Sequence, residues 1–96
     1  MKNYYVYIIT NYKRTTLYIG ITNSIFHRIQ EHKKGLTNGF SKRYSLKYLV
    51  YYEILPDIKS AIQREKILKK WNRAWKGELI NKINPEWKDL SSDWVS

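Results

Sequence analysis

The chain has 96 residues and no cysteine, which suits one small domain and excludes disulfides, thiolate metal sites and cysteine nucleophiles. Eighteen lysine and arginine residues against eight acidic residues give a formal net charge of +10, an excess that attracts polyanions such as nucleic acid. The sequence has neither the roughly 20 consecutive apolar residues of a membrane span nor a signal-peptide core, so we expect a cytoplasmic protein that does not bind membranes.

The first part of the chain predicts a β-hairpin. Residues 5–10 and 16–21 are rich in aromatic and β-branched side chains, and polar residues separate the two runs. Alternation along each strand places Tyr7 and Tyr18 on the same side of the sheet as Gly20. A glycine inside a strand indicates that another group approaches the backbone closely, so we expect a site near these residues.

A helix is predicted from Ile25 to about Lys34, where Gly35 ends it. Arg28 and His32 lie one turn apart on its flank, at the boundary between the buried face and solvent. A helix with a purely structural role would more often carry lysine or glutamate there. These two side chains are therefore candidate site residues.

Residues 35–45 predict a loop in which basic residues alternate with aromatic ones. This composition suits a phosphate backbone and an unpaired base, although a solvated loop is the alternative. Residues 48–54 predict a third strand, which would pair with the hairpin.

Residues 57–81 predict a helical segment, broken near Asn72 or Gly77. Glu65 lies near the middle of its apolar stripe, where an unpaired carboxylate costs several kcal/mol. A magnesium ion would compensate its charge, and pairing with Arg28 or a tyrosine is the alternative. The stripe comprises Ile58, Ala61, Ile62, Leu68, Asn72, Trp75 and Leu79.

Basic residues before and within the loop, and on the outer face of the second helical segment, predict a surface that contacts nucleic acid. After this segment the chain should be irregular, because a proline follows Asn84, and frayed from about residue 91 onward. The predicted nucleic-acid-binding residues are Lys33, Lys34, Lys42, Arg43, Arg64, Lys69, Lys70 and Arg73.

Several of these residues carry a family resemblance. The tripeptide Tyr5-Val6-Tyr7 and, after ten intervening residues, the tripeptide Tyr18-Ile19-Gly20 resemble the two signatures of the GIY-YIG nuclease superfamily. Tyr5 takes the place of the first glycine. The Gln-Arg-Glu-Lys and Lys-Lys-Trp runs of the helical segment, with Asn-Pro-Glu-Trp after it, resemble the small single-domain UPF0213-like branch.

The resemblance implies an α+β fold for a single domain over residues 1–96, with a three-stranded antiparallel sheet flanked by helices in the order β-β-α-β-α-α. It implies a metal-dependent endonuclease that hydrolyses phosphodiester bonds in DNA, with RNA as the alternative substrate, in repair or recombination. Glu65 would hold one Mg²⁺ or Mn²⁺ ion, weakly until substrate binds. The implied catalytic residues are Tyr7, Tyr18, Arg28, His32 and an asparagine, either Asn84 or Asn81.

Two other functions remain open at this point. The same fold could bind nucleic acid through its basic surface without useful catalysis, because the chain has no room for the extra DNA-recognition domain that family nucleases commonly carry. It could also be a purely structural interaction protein. We expect a monomer, with a protein partner as one possible source of specificity.

Overall fold

A three-stranded antiparallel sheet, in the order β2-β1-β3, forms the centre of the molecule. The structure is a computed structural model that describes residues 3–37 and 39–94. The predicted α+β class and order of elements are confirmed, and one short helix is added inside the predicted loop. The elements are β1 Tyr4–Thr10, β2 Leu17–Thr22, α1 Ile25–Lys33, α2 Phe40–Arg43, β3 Tyr48–Leu55, α3 Ile58–Lys70 and α4 Arg73–Ile83.

The sheet has a hydrophobic core on each face. Val6 and Ile8 of β1 pack with residues of α3 and α4, including Ala61 and Leu68. The alternate residues of β1 pack in a second core with Ile29 of α1. None of the helices in residues 3–37 and 39–94 is long and apolar enough to cross a membrane.

The hairpin places its two tyrosines on one face, as predicted. Tyr7 pairs with Gly20 and Ile9 pairs with Tyr18, so the tyrosines are diagonal neighbours across the two strands. Tyr5, which replaces the family glycine, sits in regular antiparallel pairing with both neighbouring strands. The strand therefore does not need a glycine at this position.

The second helical segment is divided into two helices, and the predicted break near Asn72 or Gly77 is confirmed. The break falls at Asn72, whose side chain accepts a hydrogen bond of 2.8 Å from the Trp75 N–H and begins α4. The predicted apolar stripe is wrong at several positions, since Asn72 is exposed and Ile58, Ile62 and Trp75 are 43%, 37% and 54% exposed. The prediction is right for Ala61, Glu65 and Leu68, on which the buried side of α3 is centred.

The segment after α4 is packed against the domain. Asp89 accepts a bond of 2.6 Å from Lys33 of α1 and another of 3.1 Å from the Leu49 N–H of β3. Ser91 is 1% exposed, and the Trp94 ring stacks on Phe26 at a centroid distance of 6.0 Å. The prediction of fraying is therefore wrong for residues 91–94, while Val95 and Ser96 lie outside the described residues.

Candidate active site

A cleft of about 310 Å³ opens between the hairpin, α1 and the segment that contains α2. Four of the six predicted catalytic and metal-binding positions line it, namely both hairpin tyrosines and the two polar residues of α1. Glu65 and Asn84 are not lining residues. The full lining is Tyr7, Tyr18, Arg28, Glu31, His32, Leu36, Thr37, Phe40 and Ser41.

Tyr7 lies deepest in the cleft, at 1% exposure. Its hydroxyl lies 3.0 Å from His32 Nε2. Burial raises the pKa of Tyr7 to about 12, the nearby Tyr18 adds to the rise, and the Arg28 guanidinium opposes it. Tyr7 is therefore a neutral phenol in the free protein and needs a proton acceptor if it is to act as a base.

His32 supplies such an acceptor. Burial lowers its pKa below the ordinary histidine value, Arg28 lowers it further, and Glu31 partly opposes the shift. The ring is therefore neutral at pH 7, with one nitrogen able to accept a proton. This state complements the adjacent Tyr7 hydroxyl.

The other side of the His32 ring faces two hydroxyl groups. Nδ1 lies 3.1 Å from Ser41 Oγ and 3.3 Å from Thr37 Oγ1, and these two oxygens are 2.8 Å apart. Sequence reasoning missed both residues because they lie in the predicted loop. The sequence marks Thr37 and Ser41 only as small hydroxyl residues among the basic and aromatic residues of this loop.

Arg28 is held at the mouth of the cleft. Its Nε pairs with Glu31 Oε1 at 3.0 Å, one helical turn away, and the Arg28 side chain is 43% exposed. Glu31 is a second carboxylate of the site that the sequence did not single out. It orients the guanidinium beside Tyr7, where a phosphate group could accept bonds from it.

Gly20 allows the Tyr7 ring to lie against the backbone of β2. A Cβ atom at this position would lie 2.5 Å from both the Tyr7 Cζ and the hydroxyl oxygen. Real Cβ atoms essentially never come so close to another atom. The predicted close approach at Gly20 is confirmed, and the approaching group is the tyrosine of the site itself.

Glu65 lies on α3, which packs on β1 and β2. Its side chain is 20% exposed and forms an ion pair with Lys69 at 3.3 Å. The partner is therefore neither Arg28 nor a tyrosine, the alternatives that the sequence suggested. Burial is the largest cause of the raised pKa of Tyr7, and the negative charge of Glu65 also raises it. Glu65 therefore lies within electrostatic reach of the cleft.

The donor set around Glu65 can be tested against a divalent ion. In residues 3–37 and 39–94 no three His, Asp or Glu side chains form a cluster that could hold a metal. An ion at Glu65 would thus have one protein carboxylate and fill its shell with water and substrate oxygens. Mg²⁺ binds in this way at phosphate-processing sites, so the residues fit one weakly held ion.

Neither candidate asparagine faces the cleft. Asn84 is 5% exposed and donates to the carbonyls of Val50 and Lys88 at 3.0 and 2.8 Å. Asn81 accepts a bond of 2.6 Å from the Trp87 indole. The structure therefore gives Asn84 the role of joining α4 and the following turn to β3, and the predicted catalytic role is not supported by its position.

Three of the predicted nucleic-acid contacts are engaged inside the molecule. Arg64 pairs with Glu53 at 2.8 Å, because the face of α3 that packs on the sheet extends to this position. Lys33 pairs with Asp89, and Arg73 donates to two backbone carbonyls of the hairpin loop. Lys69 pairs with Glu65 and is 51% exposed. The exposed residues of the predicted set are Lys34, Lys42, Arg43, Lys69, Lys70 and Arg73.

An aromatic rim borders the cleft on the side of α2. Phe40 stacks on Tyr18 at 6.3 Å and contacts Tyr44 at 4.7 Å between ring centroids. Arg43 lies over the Tyr44 ring at 5.6 Å. Phe40 and Tyr44 are 46% and 44% exposed, so apolar and cationic groups meet at the edge of the cleft.

The fold and this cleft define a small α+β domain that brings two tyrosines, an arginine and a histidine together in one cleft. Residues 3–84 match the sequence profile of the GIY-YIG family, described as the GIY-YIG catalytic domain. The chain belongs to the GIY-YIG family, and this membership suggests a nuclease with a nucleic-acid substrate.

The similar proteins are of the UPF0213 type, as the sequence motifs predicted. The chain is 37% identical over 94 residues to a UPF0213 protein of Syntrophus aciditrophicus, covering 90% of this chain and 98% of that protein. It is 35% identical over 77 residues to one of Clostridium perfringens, covering 80% and 82%. The solution NMR structure of a UPF0213 protein from Bacillus halodurans shares the fold, with a TM-score of 0.58, 22% identity and coverage of 98% and 99%.

Proposed function

We propose that this protein is a metal-dependent endonuclease that hydrolyses phosphodiester bonds in DNA. The observation that carries the proposal is that Arg28 and the hydrogen-bonded pair of Tyr7 and His32 line one cleft. This arrangement offers a cation for the phosphate and a proton acceptor for water. The surplus of positive charge supports a polyanionic substrate.

Arg28 is suited to binding the scissile phosphate. Its guanidinium carries several donors in a fixed plane, and Glu31 holds one edge of it. Negative charge on the phosphate oxygens increases as water attacks, so the contact strengthens in the transition state. We therefore assign Arg28 to transition-state stabilisation.

Tyr7 and His32 would remove the proton from the attacking water. As Tyr7 takes a proton from water, its own hydroxyl proton passes to Nε2 of the neutral His32 ring. Tyr7 then does not have to exist as a phenolate, which its raised pKa disfavours. Tyr18, also in the cleft, would help to position the water or the substrate.

Glu65 would hold the divalent ion, Mg²⁺ or Mn²⁺, together with substrate oxygens. When bound, such an ion supplies Lewis-acid stabilisation of the phosphate and of the leaving oxygen. Lys34, Lys42, Arg43 and Lys70 would contact the DNA backbone from the exposed surface. We further propose that the protein acts in the cytoplasm as a monomer.

The central test is DNA cleavage by the parent protein and by Arg28→Ala. Supercoiled, single-stranded and branched DNA would be incubated with Mg²⁺ or Mn²⁺, and we expect cleavage by the parent and about a hundredfold less by the variant. Lys82→Ala, purified in the same way, is the matched control for loss of one exposed positive charge. It should retain most of the activity.

Equal cleavage in all three preparations would indicate a contaminating nuclease and would overturn the proposal. Salt-sensitive binding without cleavage in either ion would favour the rival function, a nucleic-acid-binding module of the same fold. Negligible binding at physiological salt would favour a structural interaction protein.

The pH profile separates two ways in which Tyr7 could act. Transfer to neutral His32 predicts a nearly constant rate from about pH 7 to about pH 9, with a fall only below the ordinary histidine pKa of about 6.5. The fall occurs on the acid side because burial and Arg28 lower the pKa of His32. A rise of about tenfold per pH unit above neutrality would show that a Tyr7 phenolate is the base instead.

A further inference from the structure

Four side chains form a continuous line of hydrogen bonds that begins at the buried Tyr7 and ends at Thr37, which borders the cleft. The line begins at the Tyr7 hydroxyl and passes through both nitrogens of His32 to Ser41 and then Thr37. Its three links measure 3.0, 3.1 and 2.8 Å. Tyr7, His32 and Ser41 are buried, and Thr37 lines the cleft, where it meets solvent.

Each group in this line can donate and accept a proton. A hydroxyl does both, and a neutral imidazole accepts at one nitrogen while it donates from the other. The line can thus run in two directions, with every O–H and N–H pointing either away from Tyr7 or toward it. Conversion between the two directions moves one proton along the whole line without leaving a charge on any member.

The location of His32 favours passing a proton along the line over keeping a second proton on the His32 ring. A second proton on the ring would create a buried cation beside Arg28, and like charges in a buried setting are costly. Release of the Nδ1 proton to Ser41, as Nε2 receives the proton from Tyr7, avoids that cation. Ser41 can do the same because Thr37 lies beyond it.

We propose that Ser41 and Thr37 are positioning residues that act through His32 and complete a proton relay from the attacking water to solvent. The proposal rests on the proposed nuclease function. Water gives a proton to Tyr7, which gives its own to His32 Nε2. Nδ1 gives its proton to Ser41, Ser41 to Thr37, and Thr37 to solvent, while the hydroxide bonds to phosphorus and the leaving oxygen departs.

The relay predicts a specific loss in Ser41→Ala. The turnover rate should fall by about tenfold to a hundredfold, with KM unchanged within about twofold, because substrate contacts remain. Ser41→Thr restores the hydroxyl and should recover most of the rate. Ser92→Ala removes an exposed serine hydroxyl elsewhere and should behave as the parent.

The number of protons that move in the rate-limiting step distinguishes a proton relay from a purely structural role of Ser41. Rates of the parent in mixtures of H₂O and D₂O should curve with deuterium fraction, because several protons move in one step. In Ser41→Ala the curve should become shallower, because only the transfers from water to Tyr7 and from Tyr7 to His32 remain. A linear plot for the parent, or an unchanged curve in the variant, would overturn the relay.

A second readout does not depend on cleavage. Exchange of the His32 ring proton with solvent, followed by NMR, should be at least about tenfold slower in Thr37→Val and in Ser41→Ala than in the parent. Equal exchange rates in all three proteins would refute the relay, even if the parent cuts DNA. Slower exchange in the two variants, together with a parent that cuts no DNA, would leave the proton path through His32 supported and the nuclease function refuted.

Discussion

Glu65→Ala is expected to reduce cleavage by about a thousandfold or more, while DNA affinity stays within about twofold of the parent. The carboxylate is the proposed protein ligand of the divalent ion, and it lies on the sheet-facing side of α3 within electrostatic reach of Tyr7. Loss of the ion removes several kcal/mol of transition-state stabilisation, whereas the exposed basic residues that contact DNA remain. Cleavage rates and fluorescence anisotropy with labelled DNA measure the two effects separately.

Glu78→Ala is the matched control, since it removes one carboxylate from an exposed position on a helix and changes the net charge equally. We expect it to cut at the parental rate. Glu65→Gln retains the size of the side chain and should resemble Glu65→Ala. An equal loss of cleavage and binding in Glu65→Ala would contradict the metal-ligand role, because it would indicate general damage to the domain.

Gly20→Ala is expected to destabilise the protein by about 1–3 kcal/mol and to lower its Tm by on the order of 10 °C. The added Cβ would lie 2.5 Å from the Tyr7 ring, which the buried core holds on its other side. Tyr7 must move, and its hydroxyl then leaves His32. Because a displacement of about 1 Å at a reacting group can cost about a hundredfold in rate, we expect a loss of that size.

Gly77→Ala tests the same substitution where space exists. Its Cβ would lie 3.7 Å from the Trp87 ring, an ordinary contact, and alanine favours the helix. This variant should be as stable as the parent or slightly more stable in urea unfolding. Parental stability and activity in Gly20→Ala would show that Tyr7 can relocate without loss, and would contradict the role of Gly20 in holding the ring in place.

Local patterns in the sequence were sufficient to predict much of the fold. Alternation in the two runs of the hairpin placed Tyr7 and Tyr18 on one face, because side chains on a strand have a period of two. The one-turn spacing of Arg28 and His32 placed both on one flank of α1. Glu65 was correctly placed on the buried side of α3, although the stripe around it was drawn too far toward Ile58 and Ile62.

The sequence is least informative about residues whose partners are distant in the chain. Arg64 was assigned to the outer surface because its bond to Glu53 depends on how α3 rotates against β3, which periodicity does not define. Asn84 was chosen by family order, and its bond to Val50 arises only once α4 docks on the sheet. Ser41 likewise gave no signal, since its meeting with His32 requires the loop to fold back over α1.

The contacts of Asp89 and Trp94 make assembly of the site dependent on a part of the chain that is synthesised after every cleft residue. Lys33, the residue after His32, forms an ion pair with Asp89. Trp94 stacks on Phe26 near the start of the same helix. A nascent chain on the ribosome contains every cleft residue long before it contains these two contacts. We therefore expect the helix that carries Arg28 and His32 to reach its final position only when synthesis has passed Trp94, so that a nascent chain without Trp94 does not yet form the complete cleft.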